Sequence, residues 1–273
     1  MAKTTRFRES RFHLLWSLLS WEGELRNRRL QDVLGLTSVQ ASRLIAQFRD
    51  EHPGAIENDP AKKRWVPAGA PSAVASGELE DYLGTLEVED VWFEDGRVDF
   101  LTPDRRVFAA VREACVSKAG LDTMYASMTH PKGHRRLLYP HTMVRLMQRW
   151  HVRAWCVQRK SYCDFTLGRM SRPTIHEDPP PALPRDADWE ERIDVRLGAH
   201  RALGIEQEQI IRGEYFGGAV ARRLRVRRSL VNYVINDIRA AIDPKRQTPP
   251  EFYLEVLNVD EVQECLFSSF QFT

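Results

Sequence analysis

Residues 137–172 read LLYPHTMVRLMQRWHVRAWCVQRKSYCDFTLGRMSR, and this stretch decides how the chain is organised. Side chains of residues 150–155 alternate in a way that predicts a β-strand whose two faces meet different surroundings. One face, which we expect to pack into a core, carries Trp150, Val152 and Ala154. The other face presents His151, Arg153 and Trp155. An imidazole, a guanidinium and an indole side by side suit a ligand that carries a phosphate or a base.

Further strand patterns flank this one. We predict strands at residues 122–129, 139–147, 150–158 and 162–170, joined by polar turns. On the first of them, Tyr125 and Ser127 share a face. Several short strands connected in this way predict a small, curved and partly closed sheet.

The N-terminal part of the chain has the pattern of a DNA reader. Apolar side chains at helical spacing predict a helix near residues 9–21, and Asn27 is placed to cap a second helix. A short turn with Gly35 and the capping hydroxyl of Thr37 leads into a third helix at roughly 38–50. Two short helices joined by a tight turn are typical of a helix-turn-helix, whose second helix enters the major groove.

A hairpin is predicted after the third helix. Residues 55–58 and 63–66 flank a turn at 59–62 with a basic tip, which is typical of the wing of a winged helix. The predicted DNA contacts are Ser38, Val39, Gln40, Ser42, Arg43 and Gln47 on the third helix, and Lys62, Lys63 and Arg64 on the wing. The glutamines match an adenine edge and Arg43 a guanine edge, whereas the wing would contact phosphates. Winged helices also dock proteins, so a solvated or protein-binding face stays open as an alternative.

Two segments punctuated by Pro and Gly divide the rest of the chain. Residues 67–77 predict a linker, and residues 179–184 a stiff boundary. We predict helices at 78–86, at 102–117, at 205–215 and at 229–242, and strands at 193–197 and 221–228. In the second of these helices Thr102 is the predicted cap, Pro103 takes the first position, and Phe108, Val111 and Cys115 form the inner face. The resulting domains are 1–67, 68–119 (linker and connecting helices), 120–178 and 185–273, in a multidomain α+β chain.

Charge is distributed unevenly although the formal net charge is only +2. Residues 132–172 hold ten Lys or Arg against one acid, and residues 78–104 hold ten acids against one base. Blocks of one sign predict surfaces for different partners, with neutralisation inside the fold or a dimer as the alternative. The surplus of positive charge favours an anionic ligand such as a nucleotide or single-stranded DNA.

Several classes of protein are disfavoured. No apolar run approaches the roughly 20 residues that cross a membrane, and the start of the chain has no signal-like core, so we expect a cytoplasmic protein. The four cysteines lack Cys-x-x-Cys spacing and predict core thiols, not a metal site. The sequence has no Gly-rich phosphate loop, clustered carboxylates of metal-site type, or nucleophile with a placed base. We therefore expect neither a cofactor nor an enzyme.

The stretch at residues 137–172 resembles the WYL domain, a sensor module found mostly in bacterial transcription factors. Trp150, His151 and Val152 would take the positions of the Trp-Tyr-Leu motif, so the central Tyr is a His here. The resemblance implies an Sm-like small β-barrel. It also implies a ligand site at Tyr125, Ser127, His141, His151, Arg153 and Arg169. Taken singly, Tyr125 and His141 are better explained as satisfied polar groups; together, the six predict a pocket.

The chain as a whole is similar to WYL-domain regulators with an N-terminal winged helix-turn-helix, of the BrxR and CapW type, which are repressors associated with bacterial phage defence. Residues 224–230, LRVRRSL, carry the likeness to the C-terminal extension, which implies an α/β dimerisation domain. The resemblance implies a homodimeric repressor that binds an inverted repeat of double-stranded operator DNA and a nucleic-acid-like effector at the WYL domain. The alternative is a defence effector that binds single strands without operator specificity.

Overall fold

The computed structural model describes residues 2–69, 79–86, 92–93, 102–147, 149–176 and 181–266. The chain forms two compact units, residues 1–96 and 97–273. Most of the predicted linker at 67–77 lies outside the described residues, as do 177–178 of the predicted WYL domain and 267–273 of the predicted C-terminal domain. The four domain limits therefore remain predictions.

The first unit is a helical core followed by a hairpin. Its elements are helices α1 (Ala2–Trp21), α2 (Asn27–Leu34) and α3 (Ser38–Glu51), strands β1 (Ile56–Asp59) and β2 (Arg64–Pro67), and helix α4 (Leu79–Leu83). The strands pair antiparallel, with Asp59 opposite Arg64 across the turn. Leu15, Leu18, Leu30 and Phe48 are fully buried in one core. The predicted helix-turn-helix with a wing is therefore confirmed as an architecture.

The turn between α2 and α3 is fixed by two side chains. The Thr37 hydroxyl accepts from the Gln40 backbone N–H while the Gln40 side chain accepts from the Thr37 N–H, a capping box that confirms Thr37 as the cap. The prediction that Asn27 caps α2 is wrong, because Arg26 holds that position. The Asn27 amide instead donates to the Ser38 carbonyl at 2.9 Å and to the Ser42 hydroxyl at 2.7 Å. These two bonds tie the start of α2 to the start of α3.

The second unit begins with helix α5 (Arg105–Ser117), which lies on the next sheet. Thr102 was predicted to cap this helix, but the cap is Asp104, whose carboxylate accepts from the N–H groups of Arg106 and Val107 at 2.9 and 3.0 Å. A carboxylate also gains from the positive end of the helix dipole, which a threonine hydroxyl does not. The inner face is Val107, Val111 and Ala114; Phe108 and Cys115, which the sequence also placed there, are only partly buried.

An antiparallel sheet forms the centre of this unit. Its strands are β3 (Gly120–Tyr125), β4 (His134–Arg145), β5 (Trp150–Cys156), β6 (Ser161–Thr166) and β7 (Met170–His176), in the order β6-β5-β4-β3-β7. No pairing joins β6 to β7 among the described residues, so the sheet is open and the predicted Sm-like barrel is not confirmed. The single strand predicted at 162–170 is wrong, because a 3-10 turn at Leu167–Arg169 divides it and β7 follows.

The sequence predicts that one face of β5 is buried and that the other is accessible; the first prediction is correct and the second is wrong. Val152 and Ala154 are fully buried against α5 and the sheet core, as expected. His151 and Arg153 are also buried, at 7% and 5% exposure, although the sequence predicted an accessible face. Residues that follow the Pro-rich boundary cover them, which no pattern within β5 reveals.

The C-terminal part of the unit is a second α/β layer. It contains helix α6 (Ala187–Glu190), β8 (Arg192–Ala199), α7 (Ile205–Phe216), β9 (Ala221–Arg227), α8 (Val231–Asp237), β10 (Ala240–Ala241), β11 (Leu254–Val256) and α9 (Val259–Val262). The sheet order is β10-β11-β8-β9. The predicted helix at 229–242 is wrong beyond Asp237, because Arg239 takes a φ of 50° and the chain turns into β10. Ile238 and Ile242 still pack on the core.

No helix within the described residues is long and apolar enough to cross a membrane.

Candidate functional site

The outer face of α3 is the first candidate site. Val39 is 60% exposed, and Ser38, Arg43 and Gln47 are exposed beside it. The side chains of these four residues make no hydrogen bond or ion pair within the part of the chain that the structure describes. The inner face of the same helix buries Ala41, Leu44, Ile45 and Phe48. The core contacts therefore hold the helix while leaving this face available to a partner.

Two of the predicted base-reading residues are already engaged. The Gln40 side-chain oxygen accepts from the Thr37 N–H at 2.9 Å, and the Ser42 hydroxyl accepts from Asn27 at 2.7 Å. Reading an adenine edge with both atoms of an amide would require Gln40 to leave the capping box. These two residues position the start of α3, and Arg43 and Gln47 are the long polar side chains left to reach a base.

The wing also separates into exposed and engaged residues. Lys62 and Lys63 are exposed at its tip, where the sequence predicted phosphate contacts. Arg64 instead lies 2.7 Å from Glu24 and 3.0 Å from Asp59, with its side chain 25% exposed. Hydrogen bonds from Arg26 and Arg64 hold the pKa of Glu24 below its usual range, despite the opposing effect of burial. Arg64 therefore holds the wing against the loop before α2.

The second candidate site is a cavity of about 870 Å³ between the five-stranded sheet and the C-terminal layer. Five of the six predicted ligand residues line it, namely Tyr125, Ser127, His151, Arg153 and Arg169. His141 is not among the lining residues. It is the residue at which the register of β4 with β5 shifts, and such irregularities turn a side chain away from the regular alternation.

Sequence reasoning missed the opposite wall of this cavity. That wall comes from the turn before α8, from α8 itself and from the segment after α9, and it includes Ser229, Asn232, Tyr233, Asn236, Asp237 and Glu264. The pattern at 229–242 predicts a helix with one buried side and says nothing of what its polar side faces. No local signal shows that its polar side faces β5 and β6, because that contact joins residues far apart in sequence.

Four arginines line the sheet side of the cavity without a carboxylate partner within the described residues: Arg136, Arg149, Arg159 and Arg169. Arg136 and Arg159 each donate a long hydrogen bond to a cysteine sulfur, of Cys156 and Cys163 respectively, at 3.9 Å. Unpaired guanidinium groups around one cavity attract anions, and phosphate is the ligand that their fork geometry fits. Arg149 and Arg169 also line a second cavity of about 200 Å³ near Thr102 and Trp150.

Arg153 is engaged differently. Asp186, just after the Pro-rich segment, accepts from its guanidinium at 2.7 and 3.0 Å, and Asp164 lies at 3.3 Å. His141 is 3.1 Å from the same Asp186 carboxylate. Burial alone would raise the pKa of Asp186, but the hydrogen bonds from Arg153 and His141 outweigh it and lower that pKa. The sequence predicted Arg153 and His141 as ligand contacts, and the structure brings both together on an internal carboxylate.

A second contact ties the sheet to α8. The Tyr233 hydroxyl is hydrogen-bonded to Asp164, and its ring lies 5.2 Å from the His151 ring. Burial and the Asp164 carboxylate raise the pKa of Tyr233 well above its usual value. Burial also lowers the pKa of His151 to about 4, with Arg149 and Arg169 adding to the effect. The neutral imidazole keeps one buried nitrogen, Nδ1, without a hydrogen-bond partner in the described structure.

Over the described residues, no group of three or more His, Cys, Asp or Glu is arranged to hold a metal ion.

Three family models match the chain in order. The BrxR transcriptional regulator winged helix-turn-helix domain matches residues 8–88, the WYL domain matches 106–175, and the BrxR transcriptional regulator C-terminal dimerization domain matches 192–262. The domain order predicted from the sequence is therefore confirmed.

The curated relatives agree with these matches. The chain is 27% identical to the DNA-binding transcriptional repressor CapW of Escherichia coli (strain KTE188), over 94% of this chain and 91% of the relative. It is 26% identical to the CapW repressor of Pseudomonas aeruginosa over the same shares. Among solved structures it is similar to Proteasome accessory factor B/C (PafBC) of Arthrobacter aurescens, with 14% identity and a TM-score of 0.27. That similarity covers 88% of this chain but only 44% of the other.

Proposed function

We propose that this chain, which belongs to the WYL-domain transcriptional regulators of the BrxR and CapW type, is a homodimeric repressor whose operator binding is modulated by a nucleic-acid-like effector. The winged helix binds an inverted repeat of double-stranded DNA, and the C-terminal domain joins two copies. The family resemblance extends the proposal to an operon of phage defence. The effector is single-stranded DNA or a nucleotide, bound at the WYL domain.

The observation that carries DNA binding is the free outer face of α3. Ser38, Val39, Arg43 and Gln47 are exposed and available, while the capping box and the core fix the helix that presents them. Arg43 can pair with both acceptors of a guanine edge, and Gln47 with an adenine edge. Lys62 and Lys63 at the wing tip add contacts to phosphate, which carry affinity without sequence preference.

A dimer follows from the energetics of DNA reading. One recognition helix contacts too few base pairs to reach the specificity that a repressor needs. Two copies related by two-fold symmetry read two half-sites, which makes the operator an inverted repeat. The effector then acts by changing the relative placement of the two reading helices.

The arginines of the larger cavity, which have no carboxylate partner in the part of the chain that the structure describes, support the effector proposal. Arg136, Arg149, Arg159 and Arg169 surround one space with positive charge, and Tyr125 and Tyr233 line the same space. A cation would be repelled there, whereas a phosphate would gain charge-assisted hydrogen bonds. Arg153 belongs to this site as a positioning residue, since its own hydrogen bonds go to Asp186 and Asp164.

Fluorescence anisotropy with labelled duplexes tests the DNA-binding proposal. At about 150 mM salt, the duplex from immediately upstream of the gene should bind about 10³-fold more tightly than a shuffled duplex. Equal affinity for the two duplexes would contradict a repressor. It would favour instead an effector protein that binds single strands without operator specificity, and that alternative predicts tighter binding to a single-stranded oligonucleotide than to either duplex.

A further inference from the structure

The two walls of the large cavity differ in chemistry. The sheet wall carries the four arginines that have no carboxylate partner among the described residues, Arg136, Arg149, Arg159 and Arg169. The wall from the C-terminal layer carries a hydroxyl, two amides and a carboxylate, on Ser229, Asn232, Asn236 and Asp237. It also carries Arg228, whose guanidinium is already paired with Asp188, Glu191 and Glu264. Guanidinium groups are suited to phosphate, whereas hydroxyls, amides and carboxylates are suited to the edge of a base. A nucleotide placed between the walls would present its phosphate to one wall and its base to the other.

Buried polar atoms without partners concentrate at this cavity. Six such side-chain atoms occur within the described residues, and three of them, Arg136 Nε, His151 Nδ1 and Ser229 Oγ, belong to residues that line it. The His151 side chain is one of these buried groups, since the residue is only 7% exposed. Buried polar groups in folded proteins are nearly always hydrogen-bonded, to protein or to ordered water, so these three atoms mark polar positions in the lining of the cavity. They come from both walls.

Asp237 is the carboxylate of this cavity that no cation neutralises within the described residues. Asp188 and Glu264 both pair with Arg228, at 3.4 and 2.8 Å, and Asp164 pairs with Arg153. One Asp237 oxygen accepts from the Met147 backbone N–H at 3.3 Å. That bond fixes the side chain against the hairpin between β4 and β5 and leaves acceptor capacity for the N–H of a ligand. Carboxylates in protein–DNA complexes accept in this way from the amino group of cytosine.

We propose that the C-terminal domain reads the base of the effector, with Asp237 as the specificity-determining residue and the sheet arginines as the phosphate site. The inference rests on the proposed function, because it concerns the same effector. It assigns to the dimerisation domain a part of the ligand site. The preferred ligand is a nucleotide, alone or within a single strand, whose base carries an amino group; thymine lacks one and should bind more weakly.

The test compares fluorescein-labelled (dC)8 and (dT)8 by anisotropy with the full-length protein. One good base contact contributes about 1–3 kcal/mol, so the wild type should prefer (dC)8 by roughly tenfold. Asp237→Asn retains an acceptor for the Met147 N–H but loses the charge and gains an amino group. It should bring the ratio of the two affinities close to one. Asp243→Asn, an exposed Asp-to-Asn change outside the cavity, is the matched control and should keep the wild-type ratio.

Salt titration distinguishes the phosphate contacts of the sheet arginines from the base contact of Asp237. Arg149→Gln and Arg169→Gln should weaken (dC)8 and (dT)8 equally and reduce the salt slope by about 0.7 each, the value for one phosphate contact on a single strand. Asp237→Asn should leave that slope unchanged. Competition with dCMP and with inorganic phosphate distinguishes a mononucleotide site from one that needs a strand.

Each outcome decides a specific question. A wild-type protein without preference, a preference for (dT)8, or a preference that survives Asp237→Asn would overturn base reading by the C-terminal domain while leaving the effector proposal intact. If the wild type binds neither oligonucleotide nor dCMP, the effector proposal itself fails. A loss of all binding in Asp237→Asn with an unchanged circular dichroism spectrum would make Asp237 part of the affinity and not of the specificity, which also overturns the inference.

Discussion

Replacing Asp186 by Asn should destabilise the second unit by about 3 kcal/mol. The Asp186 carboxylate lies 2.7 and 3.0 Å from two guanidinium nitrogens of Arg153, and the two side chains are 7% and 6% exposed. Removing one charge of a buried ion pair leaves the other uncompensated, which costs about 3–5 kcal/mol. We expect the lower end of this energy range because Asp164 still lies 3.3 Å from Arg153 and because the new Asn side chain can accept one hydrogen bond.

Asp188→Asn is the matched control for this change. Asp188 lies 3.7 Å from the same guanidinium but its side chain is 58% exposed, so its loss should cost less than about 1 kcal/mol. Asn at position 186 can still accept from the Trp189 N–H, so the comparison isolates the charge. The assay is urea unfolding followed by tryptophan fluorescence. Equal destabilisation by the two variants would refute the view that a buried Asp186–Arg153 pair fastens the Pro-rich boundary to the sheet.

The stability that the Asp186–Arg153 pair contributes should depend on pH. Because Arg153 and His141 lower the pKa of Asp186 against the effect of burial, its contribution to stability is complete above about pH 4, the usual value for an aspartate. That contribution is lost as the pH falls through the lowered pKa. Wild type and Asp186→Asn should therefore differ at pH 7 and converge in acid. If the two proteins still differ in stability below the pKa of Asp186, the charge of the Asp186 carboxylate is not the source of the difference.

Three further predictions concern other parts of the chain. Arg43→Ala should cost about 1–3 kcal/mol on the upstream duplex and little on a shuffled one in anisotropy titrations; equal losses would mean that Arg43 contacts only phosphate. Lys62→Ala and Lys63→Ala should weaken both duplexes alike and lower the salt slope by about one each, and a change in sequence preference would contradict that role. Burial lowers the pKa of His151 to about 4, so the stability of the neutral ring is complete above about pH 6.5 and falls as the pH drops towards 4. Unfolding measurements should show that the wild type loses about 2 kcal/mol more than His151→Phe between pH 7 and pH 5; parallel curves would contradict a buried neutral imidazole.

Patterns that depend on neighbouring residues were predictable from the sequence. Thr37 and Gln40 are three residues apart, and their capping box sets the start of α3 within the first predicted turn. The wing has its strands at Ile56–Asp59 and Arg64–Pro67, close to the predicted hairpin, because a short turn with basic residues separates two β patterns. These features need no knowledge of the rest of the fold.

Partners distant in sequence were not predictable. Arg153 and Asp186 are 33 residues apart and separated by a Pro-rich segment, so the burial of Arg153 has no local signal. The same reason applies to Arg64, whose partner Glu24 is 40 residues away. Strand β7 was missed because residues 170–176, MSRPTIH, contain a proline and lack apolar alternation. The cavity wall from α8 is the clearest example, since only the fold brings it opposite β5.

The most direct test of an effector-responsive repressor combines both sites in one titration. The labelled upstream duplex is half saturated with protein at about 150 mM salt, and an unlabelled single-stranded oligonucleotide of unrelated sequence is added. We expect the bound fraction of duplex to change for the wild type and to stay constant for the Arg149→Gln, Arg169→Gln double variant, which retains its duplex affinity. A wild type that binds the oligonucleotide in a separate titration but shows no change in duplex binding would contradict the account.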